Sequence, residues 1–218
     1  MRYSPIHPWL EKRQPEWREV GGMPVALRLQ PAEVEQQAMR VLALCDLSCL
    51  SKLGVKGRDS QSWLESQQVE VPQRVYESCH LADGGFVVRL ATDEFLLESG
   101  IANESVPALT AQLDSASGSV YSVARQEATF LLIGLSAVDV LAQTCGIDFH
   151  QAVRQRLVMT RVAGASCGVL PDPVADIWAC RLWIDCSYAS YLWEALVEIS
   201  DSLGGSVVGA GCIFPELQ

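Results

Sequence analysis

Eight cysteines and three histidines are the residues in this 218-residue chain best suited to chemistry. Cys45 and Cys49 are four apart and would share one face of a helix. No second Cys or His pair follows them at zinc spacing, and His7, His80 and His150 are scattered, so no metal site is expected. The remaining cysteines, Cys79, Cys145, Cys167, Cys180, Cys186 and Cys212, lie mostly in apolar surroundings and read as buried thiols. A Cys–His nucleophile pair stays open only because such pairs meet in space and not in sequence. Asp83 precedes Gly84-Gly85, where a short carboxylate can take the backbone N–H groups of a turn. No phosphate-binding glycine loop and no G-x-S-x-G elbow is present. Gly204-Gly205 reads as a helix C-cap. Gly209-Ala210-Gly211-Cys212 has no helix after it to hold a phosphate.

The elements that must position these groups can be read from pattern. Residues 1–30 hold four prolines and two tryptophans, Trp9 and Trp17, and form an ordered but irregular arm. Both tryptophans require a surface, on the chain's own body or on a partner, and docking on a partner is the expectation. Pro31–Leu44 has helical periodicity, and Leu50–Lys56 reads as a strand closed by Gly57. Asp59 caps a helix over 60–67. Gly84-Gly85 opens a hairpin of Phe86–Leu90 and Phe95–Leu97. Ser105–Leu113 is a helix, and Ser115-Ala116-Ser117-Gly118 is a loop. The second half gives strands at Val120–Ala124 and Thr129–Ile133, then a helix Ala137–Thr144 capped by Ser136. Strands Arg156–Val162 and Trp178–Cys186 follow, then a helix Tyr188–Leu203 capped by Ser187 and a short strand at Val207-Val208. Antiparallel runs mixed with helices indicate an α+β fold, antiparallel or mixed sheets with helices on one face. The expected organisation is an arm over 1–30 and two halves, 31–114 and 119–218, sharing one core.

Composition excludes several classes. The chain is 49% apolar and 19% charged, which rules out wholesale disorder. Twenty-six acids against sixteen bases, a net charge of −10, repel phosphate backbones and anionic lipid. No nucleic-acid or membrane partner is expected. The longest apolar run, Phe130–Leu135, is a strand's worth. The first residues carry no apolar signal core, so a cytoplasmic location with free thiols is expected.

The stretch DLSCLSKLGVKGRDSQSWL, Asp46 to Leu64, resembles the glycine-cleavage T-protein superfamily, the tetrahydrofolate-dependent aminomethyltransferase fold. That family opens with a helix bearing Glu and Arg, an Asp-hydrophobic-Ser turn and a strand ending in Gly. Glu35, Arg40, Asp46, Leu47, Ser48 and Gly57 match it in order. Ser4-Pro5-Ile6-His7, the Gly84-Gly85 hairpin, the run Phe130–Ala137, Arg161 and Leu192-Trp193 continue the likeness. Two departures stand out. Where the family has a Glu that grips the pterin ring, this chain reads Val162-Ala163-Gly164-Ala165-Ser166-Cys167-Gly168. The family's catalytic Asp has its nearest match in Asp83. A C-terminal barrel domain is also missing.

Within that superfamily the chain is most similar to the gamma-subunit family of heterotetrameric sarcosine oxidases. The resemblance implies a non-catalytic subunit of a flavin-dependent amine oxidase or dehydrogenase complex in one-carbon metabolism. Its partner would be the larger oxidase subunit, with no tightly bound cofactor of its own. The alternative is a tetrahydrofolate-binding, aminomethyltransferase-like protein acting alone. There Asp83 would meet the amine, and Arg161 would hold a folate carboxylate.

Overall fold

The computed structural model describes residues 2–115, 118–151 and 154–218. The chain runs α1 (His7–Glu11), β1 (Glu16–Val20), β2 (Met23–Arg28), α2 (Ala32–Val41), β3 (Ala43–Asp46), β4 (Lys52–Lys56) and α3 (Ser60–Ser66). It continues with β5 (Ser78–His80), β6 (Phe86–Ala91), β7 (Glu94–Glu98), α4 (Ser105–Leu113), β8 (Tyr121–Val123) and β9 (Ala128–Ile133). Last come α5 (Ala137–Thr144), β10 (Val158–Val162), β11 (Ala165–Pro171), β12 (Ala179–Ile184), α6 (Cys186–Ser202), β13 (Ser206–Val207) and α7 (Ala210–Ile213). The fold is α+β, as the pattern indicates. Ala116 and Ser117 of the expected loop lie outside the described residues.

Two compact units divide the chain. One comprises the described residues within Met1–Cys49, Glu127–Arg154 and Val158–Gln218; the other comprises Leu50–Gln126 and Gln155–Leu157. The first is built on a six-stranded sheet ordered β10-β11-β12-β9-β3-β13, antiparallel except for the parallel β13–β3 pair. Alternate residues of the central strands, Phe130 and Leu132 of β9 and Cys180, Leu182 and Ile184 of β12, share one core with α5 and α6. Trp193 of α6 is fully buried there, 4.9 Å from the Phe130 ring. Asp185 fixes the start of α6, its Oδ1 accepting from the Ser187 N–H at 2.8 Å. The capping side chain is therefore Asp185, and Ser187 sits in the first turn.

The second unit is a five-stranded antiparallel sheet ordered β5-β6-β7-β4-β8. Leu53 and Val55 of β4 and Phe95 and Leu97 of β7 pack with Leu64 of α3 and with Val106, Leu109 and Leu113 of α4. Every second residue of β4 and β7 among these faces the helices, although β6 and β7 are buried along consecutive residues as well.

The structure corrects several local expectations. The helix after Pro31 ends at Val41, and Ala43–Asp46 is a strand paired with β9, Ala43 opposite Ile133. Leu42, Ala43 and Leu44 are all wholly buried, so this segment meets packed surroundings on both sides, where a strand fits and one stripe of a surface helix does not. Asp59 precedes α3 but makes no cap; its Oδ2 accepts from the Ser119 N–H at 2.9 Å. Ser136 likewise makes no side-chain cap for α5. Strand β11 has no clear signature in sequence, because Ala165-Ser166-Cys167-Gly168 offers little apolar alternation.

The arm is neither irregular nor free. Strands β1 and β2 pair as a hairpin about Gly21-Gly22, whose φ values of 57° and 75° favour glycine. Ile6 and Leu10 enter the first unit's core, and Trp9 meets Trp193 edge-on at 5.3 Å. Trp17 packs on the same core and stacks near His7 at 4.6 Å. Both tryptophans thus find their surface on their own body.

Candidate functional site

Asp83 sits between β5 and β6, in a turn that leaves almost no room for side chains. Gly84 N–H donates to the Leu81 carbonyl at 3.0 Å. A Cβ on Gly100 would lie 1.7 Å from the Asp83 carbonyl oxygen, and one on Gly85 would lie 2.2 Å from that of Glu98. Only glycines permit this approach of two backbones. The Asp83 carboxylate is used on both oxygens: Oδ1 accepts from Gly85 N–H and Oδ2 from Ser105 N–H, each at 3.0 Å. Ser105 opens α4, so Asp83 caps that helix from 22 residues away. Ser99 Oγ takes the next donor, Val106 N–H, at 2.9 Å. Together they satisfy two of the helix's orphan N–H groups.

Burial pulls the Asp83 carboxyl toward a higher pKa. The N–H groups of Ser105, Gly100 and Gly85 outweigh it, and the net direction is down. A depressed carboxyl stabilises the fold above its unfolded value, about 3.9. That stability is lost as pH falls through the lower folded value. Asp83→Asn is expected to cost about 1–2 kcal/mol near neutrality, because an amide offers one acceptor where two are used. The gap to the parent should begin to close below about pH 5 and shrink further as pH falls through the depressed folded value. Urea titrations at several pH values measure it, and a gap unchanged in acid would show that the charge plays no part.

Arg161 lies on β10, the outer strand of the six-stranded sheet, opposite Ser166. Its side chain is on the exposed face with Met159, while Val162 turns into the core. Asp83 and Arg161 belong to different units. The β10–β11 hairpin turns at Ala163-Gly164, and the Ala163 carbonyl accepts from the Tyr191 hydroxyl at 2.8 Å. No Asp or Glu occurs between Val158 and Pro171. This stretch therefore offers no carboxylate to pair the N–H donors of a pterin ring.

The other residues carrying the resemblance tie backbone together. Asp46 Oδ1 accepts from Ser48 N–H at 3.0 Å and Ser48 Oγ at 2.6 Å. Ser48 Oγ accepts from Thr129 N–H at 3.2 Å, and Leu47 N–H donates to the Thr129 carbonyl. The Asp-Leu-Ser turn is thus a clasp from β3 to β9. Glu35 is 1% exposed, and its Oε1 accepts from the N–H groups of Leu29, Gln30 and Gly209 at 2.8–3.2 Å. Arg40 is exposed, and its carbonyl accepts from Leu135 N–H.

The second unit also holds buried charged residues, Lys52, Glu98 and Arg89. Lys52 and Glu98 face each other across β4 and β7, Nζ to Oε2 3.4 Å, with side chains 3% and 0% exposed. Arg89 donates to the carbonyls of Pro72 and Thr92 and to Gln61 Oε1, its guanidinium 4.7 Å from the Phe95 ring centre. In sequence both cations sit on short strands where charge usually marks a solvated face. Among the described residues no three His, Cys, Asp or Glu side chains group to hold a metal. None of the eight cysteines is in a disulfide. Burial pushes the Cys167 thiol up to about 12 and raises Cys45 and Cys180 as well, so these thiols are inert at neutral pH. No helix among the described residues is long and apolar enough to cross a membrane.

No family model and no curated protein matches the sequence. Solved structures do match the fold. Aminomethyltransferase T of the glycine cleavage system from Bartonella henselae superposes with a TM-score of 0.78 at 16% identity, over 97% of this chain. The chain spans 60% of the length of that protein. A chain of the heterotetrameric sarcosine oxidase from Corynebacterium sp. U-96, solved with pyrrole 2-carboxylate, gives a TM-score of 0.62 at 19% identity. There the match covers 80% of this chain and 93% of the other. The fold is therefore that of the T-protein-like folate-binding domain.

Proposed function

We propose that the chain is a non-catalytic, gamma-type subunit of a sarcosine oxidase-like complex, a cytoplasmic, flavin-dependent amine oxidase or dehydrogenase of one-carbon metabolism. The observation that carries this reading is the match in extent. The chain covers 93% of the heterotetramer's chain but only 60% of the aminomethyltransferase. The use of Asp83 as a helix cap adds support, since both its oxygens are engaged by backbone N–H groups. In this reading the larger subunit handles the amine and the flavin, and this chain holds no folate tightly. The second reading, a tetrahydrofolate-binding aminomethyltransferase-like protein acting alone, is favoured by the 97% coverage against the aminomethyltransferase. Arg161, exposed on β10, would then meet the folate carboxylates.

The test is affinity capture of the tagged chain from its native host at endogenous level. The expected result is co-elution with a larger flavin-containing chain, with amine-dependent reduction of an electron acceptor. Elution alone, together with calorimetric binding of tetrahydrofolate at low micromolar concentration, would replace the first reading with the second.

A further inference from the structure

Strand β10 ends the six-stranded sheet on one side, so one of its two edges has no neighbouring strand. Its hairpin with β11 closes on a two-residue turn, Ala163-Gly164, with φ values of 48° and 82°. A turn of that form makes Val162 and Ala165 a hydrogen-bonded pair, and bonded pairs then alternate along the ladder. Val158, Thr160 and Val162 therefore direct their N–H and C=O groups to β11. Those of Met159 and Arg161 point to the open edge. The same phase holds just beyond the strand, where the N–H groups of Leu157 and Ala163 donate to the carbonyls of Tyr76 and Thr144. Met159 and Arg161 have no such backbone partner among the described residues.

Natural edge strands are usually blunted by a proline, a bulge or a cover. Strand β10 has an unbroken register with β11 and no proline. Met159 is 58% exposed, and Arg161 is exposed on the same face. Their cross-strand neighbours are Gly168 and Ser166, too small to cover them. Charge marks the same place. From Gln151 to Pro171 there is no Asp or Glu, and Arg154, Arg156 and Arg161 lie in that stretch. All three are exposed, and none has an ion-pair partner among the described residues. In a chain of net charge −10, this segment is locally cationic.

We propose that the open edge of β10 takes an extended, acidic segment of another protein as a further antiparallel strand. Met159 and Arg161 each form a closely bonded pair with the guest, four backbone hydrogen bonds together. The register fixes the guest's chemistry. An acidic residue lies opposite Arg161, and an apolar residue two positions later lies opposite Met159, both on the exposed face. A second copy of the chain is a poorer guest. Pairing β10 with itself about Thr160 would bring two Arg161 side chains onto one face and join two bodies of net charge −10. The proposal does not depend on either reading of the chain's role given above.

The experiment is a titration of the 15N-labelled full chain with the end-blocked peptide Thr-Ser-Thr-Glu-Thr-Val-Thr-Ser-Thr. The expected dissociation constant is on the order of 100 µM. Amide hydrogen exchange should slow at Met159 and Arg161, the two N–H groups that face outward. Replacing the peptide's Glu by Lys should weaken binding roughly three- to thirtyfold. Arg161→Glu should reverse that preference. N-methylation of the peptide's Glu removes a donor to the Arg161 carbonyl and should weaken binding at least about tenfold. N-methylation of the Thr after it, whose N–H faces away, should not. Met159→Pro removes an outward N–H without touching the β11 ladder, and should abolish binding while the amide spectrum stays folded. The proposal is overturned by the absence of saturable shifts at about 1 mM peptide. Equal binding of the two N-methylated peptides, or of the Glu and Lys peptides, overturns it too. Protection of Met159 and Arg161 in a dimer of the chain alone would give the edge to a second copy and overturn it as well.

Discussion

Lys52→Met is expected to destabilise the chain by about 3–5 kcal/mol, the usual cost of removing one member of a buried ion pair. Lys52 and Glu98 are directly opposed cross-strand partners in the five-stranded sheet, and their side chains are nearly inaccessible to water. Methionine fills most of the lysine's volume, so the packing term is small. The loss comes from the Glu98 carboxylate, left in a dry place without its cation. The Leu50 carbonyl also loses a donor, because Lys52 Nζ lies 3.2 Å from it. Replacing both partners, Lys52→Met with Glu98→Leu, should recover most of the loss, because an apolar pair needs no partner. Equilibrium urea unfolding of the three proteins measures this. A single variant within about 1 kcal/mol of the parent would show that water reaches the pair.

Deleting residues 1–14 is expected to cost about 3–6 kcal/mol, from the burial of Ile6 and Leu10 alone at about 1.5–3 kcal/mol each. Ile6 is 1% exposed and Leu10 is 2% exposed, both inside the core that α5 and α6 close. Trp9 would leave as well, baring the edge of Trp193. A domain of ordinary stability, about 5–15 kcal/mol, would lose a large share of it. Thermal unfolding of the truncated chain, followed by circular dichroism, is the measurement. A melting temperature equal to the parent's would mean that the arm is an ornament on this core.

The pattern of apolar residues made the second unit legible. Ser105–Leu113 is bounded to the residue, and the β6–β7 hairpin nearly so, because Gly84-Gly85 and the polar turn 91–94 punctuate two apolar runs. The first unit was harder. Strands β9 and β12 are still legible as apolar runs, close to the expected Thr129–Ile133 and Trp178–Cys186. Ala43 and Leu44 continue the helical period of Pro31–Leu44 by chance, and only the pairing of Ala43–Asp46 with β9 decides their state. Prolines hid the first hairpin, although Pro24 lies on a two-stranded ribbon, where a missing N–H is tolerated. At the candidate site, the turn role of Asp83 could be read from the glycines after it. Its second partner, Ser105, could not, since the contact spans 22 residues. Glu35 and Lys52 look solvated in sequence, because the Gly209 N–H and the Glu98 carboxylate that help to hold them come from distant segments.

The chain leaves the six-stranded sheet after β3 and rejoins it at β9, which pairs with β3, Asp46 opposite Phe130. The excursion between them begins with β4 and ends with β8, and these two are also neighbours, Gly54 opposite Val123. This arrangement favours one order of events during folding. Pairing β3 with β9 directly from a flexible chain means closing a loop of more than eighty residues. If the five-stranded sheet forms first, its outermost strands in sequence are already side by side, and only the short segments flanking them remain to be closed. Loop-closure entropy grows as the logarithm of length, so the second route lowers the cost by about 1.5 kcal/mol, roughly a tenfold gain in rate. Substitutions that loosen the β4–β8 pairing should therefore slow the assembly of a sheet to which neither strand belongs, and the delay would appear in refolding kinetics as a slowed Trp193 fluorescence phase.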